Sequence, residues 1–71
     1  MRYSATVNGE PQLPFDAKND RLAVDAARAA LPAEGTFNVT VSCLDEVMLA
    51  SGEMRPACEV SSFTVLHEVA Q

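Results

Sequence analysis

The stretch Asn19 to Leu31, NDRLAVDAARAAL, constrains this chain more than any other. It is rich in alanine and free of glycine and proline until Pro32, which specifies one helix, and Pro32 ends it. Asp16 or Asn19 offers the short side-chain acceptor that caps the first backbone amides. At about 100° per residue, Arg21, Asp25 and Arg28 fall in one narrow stripe, spaced to form weak ion pairs on the solvent side. The opposite face centres on Ala23, Ala26 and Ala30, with Leu22 on one flank and Val24 and Leu31 on the other. Small residues in that position let a helix axis approach a sheet closely.

The segments on either side read as strands. Arg2 to Asn8 alternates, with Tyr3, Ala5 and Val7 on one face and Ser4, Thr6 and Asn8 on the other. Asn8-Gly9 is a hairpin turn signal, weakened by Pro11 and Pro14, neither of which can donate to a ladder. Gln12 to Phe15 therefore reads as a short extended edge segment with Leu13 and Phe15 pointing inward. Thr36 to Cys43 is the clearest strand, with Phe37, Val39, Val41 and Cys43 on one face. Ser61 to Val69 is the next, with Phe63, Val65, His67 and Val69 aligned. Leu44 to Val60 fits either a short helix or the arm of a long hairpin turning at Ser51-Gly52. The arm is preferred because it leaves no long unstructured loop. The expected fold is a single α+β domain over residues 1–71, a three- to four-stranded antiparallel sheet with one helix packed on one face.

At 71 residues the chain has room for one small core. Apolar residues are 48% and charged residues 21%, the range of a folded globular protein. With no Trp and only Tyr3, Phe15, Phe37 and Phe63 as aromatics, that core must be mostly Val, Leu and Ala. The start, MRYSATVNGE, has no hydrophobic run, so no signal peptide is expected, and no apolar stretch approaches the roughly 20 residues of a membrane span. The chain reads as cytoplasmic, with Cys43 and Cys58 as reduced thiols. In that compartment the glycosylation-like Asn38-Val39-Thr40 carries no weight.

The net charge of −5 lies entirely in the second half. Arg2, Lys18, Arg21 and Arg28 balance Glu10, Asp16, Asp20 and Asp25. Beyond them Glu34, Asp45, Glu46, Glu53, Glu59 and Glu68 face Arg55 alone. Such a surface repels nucleic-acid phosphates and anionic membranes and favours basic partners.

The inventory for catalysis is thin. His67, the only histidine, shares a strand face with Phe63 and Val65 and reads as a residue at the core rim. Pairing it with Cys43 or Cys58 would give a nucleophile and base, but no orienting motif accompanies them. Cys43 continues an apolar face and reads as a small hydrophobe. Cys58, Glu59 and His67 match no standard metal-ligand spacing. Asp45 and Glu46 are sequence neighbours, so in a strand they face opposite ways. Phosphate loops, nucleophile elbows and zinc signatures are absent. The expectation is a protein without catalytic residues, cofactor or metal.

The segment with most functional content is Asp45 to Glu59, DEVMLASGEMRPACE. Its carboxylates Asp45, Glu46, Glu53 and Glu59 surround Met48 and Met54, adaptable side chains that suit contact surfaces. An acidic rim favours a basic partner.

The opening strand Tyr3 to Val7, the helix Asp20 to Leu31 and the pair Thr36 to Cys43 and Ser61 to Val69 give a layout that resembles small inhibitors encoded by phages and mobile elements, including anti-CRISPR proteins. The resemblance is one of element order and carries no residue across. It implies an inhibitor, acting in the host cytoplasm, that binds a host defence complex at a basic nucleic-acid groove or subunit surface.

The resulting expectation is a non-enzymatic interaction module that inhibits or regulates a protein partner with a basic surface, and that touches neither nucleic acid nor membrane directly. Asp45, Glu46, Met48, Glu53, Met54 and Glu59 are the contact residues. Two alternatives stand beside it. One is a structural or assembly protein that forms a homo-oligomer, a homodimer included, through a sheet edge or face. The other is a small enzyme using Cys58 and His67.

Overall fold

The computed structural model describes residues 1–67. Seven strands and one helix follow in the order β1 (Arg2–Val7), β2 (Glu10–Pro11), β3 (Phe15–Asp16), α1 (Asp20–Ala29), β4 (Gly35–Cys43), β5 (Val47–Met48), β6 (Met54–Arg55) and β7 (Cys58–His67). The main sheet runs β2-β1-β4-β7, with β3 also beside β1, and every pairing is antiparallel. β5 and β6 form a separate two-stranded hairpin. This is the expected α+β arrangement. Strand β7 starts at Cys58, earlier than expected. Glu68 and the predicted last inward position, Val69, lie outside the described residues.

Asn8 and Gly9 both adopt left-handed backbone, with φ of 51° and 81°, the signature of a tight two-residue hairpin turn. The hairpin forms despite Pro11, which pairs with Thr6 at the sheet edge, where a missing donor costs no ladder bond. Gln12 N then donates to Ala5 O at 2.8 Å. The inward placement expected for Leu13 is not observed. Leu13 is 88% exposed. Two prolines around it route the chain across the edge, and only Phe15 returns, stacking on Tyr3 with ring centroids 6.0 Å apart.

The core consists of Tyr3, Ala5, Ala23, Ala27, Val39, Val41 and Cys43. Asn19 caps the helix, its Oδ1 accepting from Leu22 N at 2.9 Å. The helix is rotated from the expected orientation by about an eighth of its circumference. It buries Ala23 and Ala27, while Ala26 and Ala30 remain exposed. The cause is polar. Asp20 is tied to Tyr3 and Arg55, and Asp20, Ala23, Ala27 and Leu31 fall on one line of the helix, so that anchor sets which alanines turn inward. Arg21, Asp25 and Arg28 are all exposed, as the stripe predicted, but they form no ion pair with one another. Arg28 is brought over the Phe63 ring, 4.9 Å from its centroid. The only ion pair among the described residues is Arg55 with Asp20.

Among the described residues, no helix covers the far face of the sheet. That face presents Thr and Ser side chains that partly satisfy one another, as in Thr64 Oγ1 donating to Asn38 Oδ1 at 2.9 Å. Among the described residues no helix is long and apolar enough to cross a membrane.

Candidate protein-interaction hairpin

The segment after β4 is an arm, as the absence of a long loop suggested. Val47 pairs with Arg55 and Met48 with Met54. Leu49 N donates to Glu53 O at 2.8 Å and Gly52 N to Leu49 O at 2.9 Å, closing the turn. Gly52 sits at φ +88°, a conformation that favours glycine and accounts for its place there.

Strand alternation sorts the two cross-strand pairs onto opposite faces. Val47 is half-buried against the core, and its partner Arg55 turns the same way. Met48 and Met54 turn outward, 70% and 50% exposed. They are therefore side-by-side neighbours on one exposed surface. Glu46 and Glu53, each next in sequence to an inner or outer member of these pairs, are exposed and form no ion pair among the described residues.

The inner pair anchors the arm. Arg55 Nη1 donates to Asp20 Oδ2 at 2.8 Å and Nη2 to Asp20 Oδ1 at 3.3 Å. Tyr3 Oη donates to the same Oδ1 at 2.7 Å. These donors hold the Asp20 carboxyl below its usual range, Arg55 first and Tyr3 second, against the opposing effect of burial. Burial, reinforced by the Asp20 charge, pushes the Tyr3 phenol up. The Asp20 carboxylate and then the neighbouring Cys43 thiol hold the Arg55 guanidinium above its usual range. Arg55 Nε is buried and finds no acceptor among the described residues, a cost set against the two bonds made at the fork.

Two of the six expected contact residues have other roles. Asp45 Oδ2 accepts from Arg2 N at 2.7 Å, so this carboxylate fastens the arm to β1. Glu59 lies on β7 opposite Ser42, on the open face of the sheet and outside the hairpin. Of the other four, Met48 and Met54 are brought side by side by the hairpin register, and Glu46 and Glu53 are exposed at positions next to the paired residues. Tyr3, Asp20 and Arg55 were not singled out from the sequence. The available signal was Arg55 as the one cation in an acidic half, alternating with exposed methionine.

The Cys-His and metal groupings do not converge. His67 pairs with Gly35 and Cys58 with Cys43, at opposite ends of β7. His67 Nδ1 lies 2.7 Å from Pro32 O, and its ring meets Phe37 edge-on at 6.3 Å. Among the described residues no three of His, Cys, Asp and Glu are grouped as a metal would require.

A second feature follows from the alanine-rich helix. An apolar cleft of about 670 Å³ opens between α1, β1 and the Gln12–Asp16 segment, lined by Ala5, Val7, Phe15, Ala26, Ala30 and Phe37 among others. No protein family model, curated protein or solved structure matches this chain.

Proposed function

We propose that this protein is a non-enzymatic interaction module that inhibits or regulates a protein partner through the exposed face of the β5–β6 hairpin. One observation carries the reading. The hairpin turns Met48 and Met54 outward together while Arg55, its one cation, is turned inward onto Asp20. The exposed surface is thus two flexible apolar side chains with Glu46 and Glu53 close in sequence. A partner that fits offers an apolar depression bordered by Lys or Arg. The resemblance to phage-encoded inhibitors supports the same class of partner, a basic nucleic-acid-binding surface of a host complex.

The test compares capture from host lysate by the native chain, by Met48→Ser/Met54→Ser and by Glu46→Lys/Glu53→Lys. Proteins retained by the native chain and lost with both variants support the reading, with the second loss growing at low salt. Equal capture by all three overturns it.

A second reading, self-assembly, is favoured by β7. This ten-residue edge strand contains no proline, lysine or arginine, the residues that usually discourage edge pairing. It predicts a solution mass that rises with concentration. A monomer at every concentration removes it.

A further inference from the structure

The two cysteines flank the hairpin, one at the last residue of β4 and one at the first residue of β7. They are also direct cross-strand partners. Residues opposed in an antiparallel pair have Cα atoms about 4.5 to 5.5 Å apart, inside the span of about 4.4 to 6.8 Å that a disulfide bridges. Opposed residues share a face, so both thiols turn toward the helix side, where Cys43 is fully buried in the core.

A register break produces this alignment. From Gly35–His67 to Val41–Ser61 the pairing is continuous, and then Ser42 meets Glu59 and Cys43 meets Cys58. Val60 is the extra residue of the bulge. Without it Cys43 would oppose Glu59, and a carboxylate would be driven into an apolar core. With it Glu59 points to solvent and Cys58 points at Cys43. Access is asymmetric. Cys43 is closed off, whereas Cys58 is half-buried on β7, the edge strand among the described residues.

We propose that Cys43 and Cys58 are a modification site, a dithiol converted reversibly to an intramolecular disulfide by a low-molecular-weight disulfide. The Cys58 thiolate attacks one sulfur of the small disulfide, forming a mixed disulfide and releasing the first small thiolate. The Cys43 thiolate then attacks the Cys58 sulfur, the new bond forms, and the second small thiolate leaves. Two electrons pass from the protein thiols to the reagent, and two protons go to the released thiolates. The product ties together the two stems from which the hairpin projects. This step stands whether or not the hairpin binds a partner.

The test equilibrates the reduced full chain with reduced and oxidised glutathione at graded ratios, blocks free thiols and measures mass. The expected product is a monomer lighter by about 2 Da, with no adduct. Cleavage after Glu53 by a glutamate-specific protease leaves the flanking pieces joined, and a reductant separates them. Cys43→Ala should instead retain glutathione on Cys58, and Cys58→Ser should leave Cys43 unmodified in the folded protein. If Cys43→Ala does not fold, the native chain still decides the matter through its mass and the joined peptides. Three results overturn the proposal: a stable glutathione adduct on native Cys58, a disulfide-linked dimer, or two free thiols at every ratio.

Discussion

Arg55 and Asp20, 35 positions apart in sequence, are joined by a forked ion pair whose shorter arm measures 2.8 Å. This pair connects the hairpin to the first residue of the helix. A carboxylate there is already favoured by the unsatisfied amides of the helix start. Because Tyr3 donates to the same group, Asp20 joins sheet, helix and arm at one point.

Asp20→Asn should therefore release the hairpin before it harms the sheet. The amide side chain keeps the Tyr3 bond but loses charge complementarity with Arg55. Amide exchange should accelerate at Leu49 and Gly52 while β4 amides stay protected. The global loss of stability is modest, because both partners are partly open to solvent, at 26% and 36% exposure. Equal acceleration in the hairpin and in β4 would mean that the pair holds the whole fold and not the arm.

Stability should fall at both ends of the pH range for two identifiable reasons. Asp20 has a folded value below its ordinary 3.8, so its contribution is present above that value and is lost as pH falls through the depressed one. Tyr3 is raised above its ordinary 10.0, so its contribution is complete below that value and declines as pH rises beyond it. Urea midpoints measured across pH should show both limbs. Asp20→Asn should flatten the acid limb, and Tyr3→Phe the alkaline one.

The elements with a regular side-chain period were legible in the sequence: the alternation of Tyr3, Ala5 and Val7, that of Val39, Val41 and Cys43, and the Asn19 cap all appear as expected. What was not legible depended on long-range polar contacts. Helical spacing pointed to a face centred on Ala23, Ala26 and Ala30, whereas the helix tied through Asp20 buries Ala23 and Ala27. Arg28 is exposed as its stripe predicted, but its contact with the Phe63 ring joins elements far apart in sequence. The bulge at Val60 is invisible to a period-two reading because it breaks that period by one residue. For the same reason the opposition of Cys43 and Cys58 could not be read from their separation. Within the site, acidity and methionine content were evident, but the division of Asp45 and Glu59 from the other four required the register.

Tyr3→Phe should cost about 1.5–3 kcal/mol, the scale of a hydrogen bond to a charged acceptor. The ring is fully buried and stacked on Phe15, and phenylalanine preserves that packing. The loss therefore measures the hydroxyl and not the core. Chemical denaturation of Tyr3→Phe, Asp20→Ala and the double variant gives the coupling, because alanine, unlike asparagine, removes the acceptor. If the two losses simply add, the Tyr3–Asp20 bond contributes nothing beyond its parts.

Replacing alanines on the helix should have opposite effects at adjacent positions. Ala27 is 7% exposed and faces the sheet, so Ala27→Leu adds three carbons where there is no space and should destabilise by about 1–3 kcal/mol. Ala26 lines the open apolar cleft, where a leucine side chain can cover Ala5, Val7 and Phe37 without displacing them. Ala26→Leu keeps helix propensity nearly unchanged and should stabilise by about 0.5–1 kcal/mol through burial of apolar surface. Thermal midpoints of the two variants should move in opposite directions from the native one. An observed helix rotation that buried Ala26 and exposed Ala27, the arrangement nearer the alanine face expected from sequence, would reverse both signs. The pair of substitutions thus reads out directly which side of the helix the Asp20 anchor has turned toward the sheet.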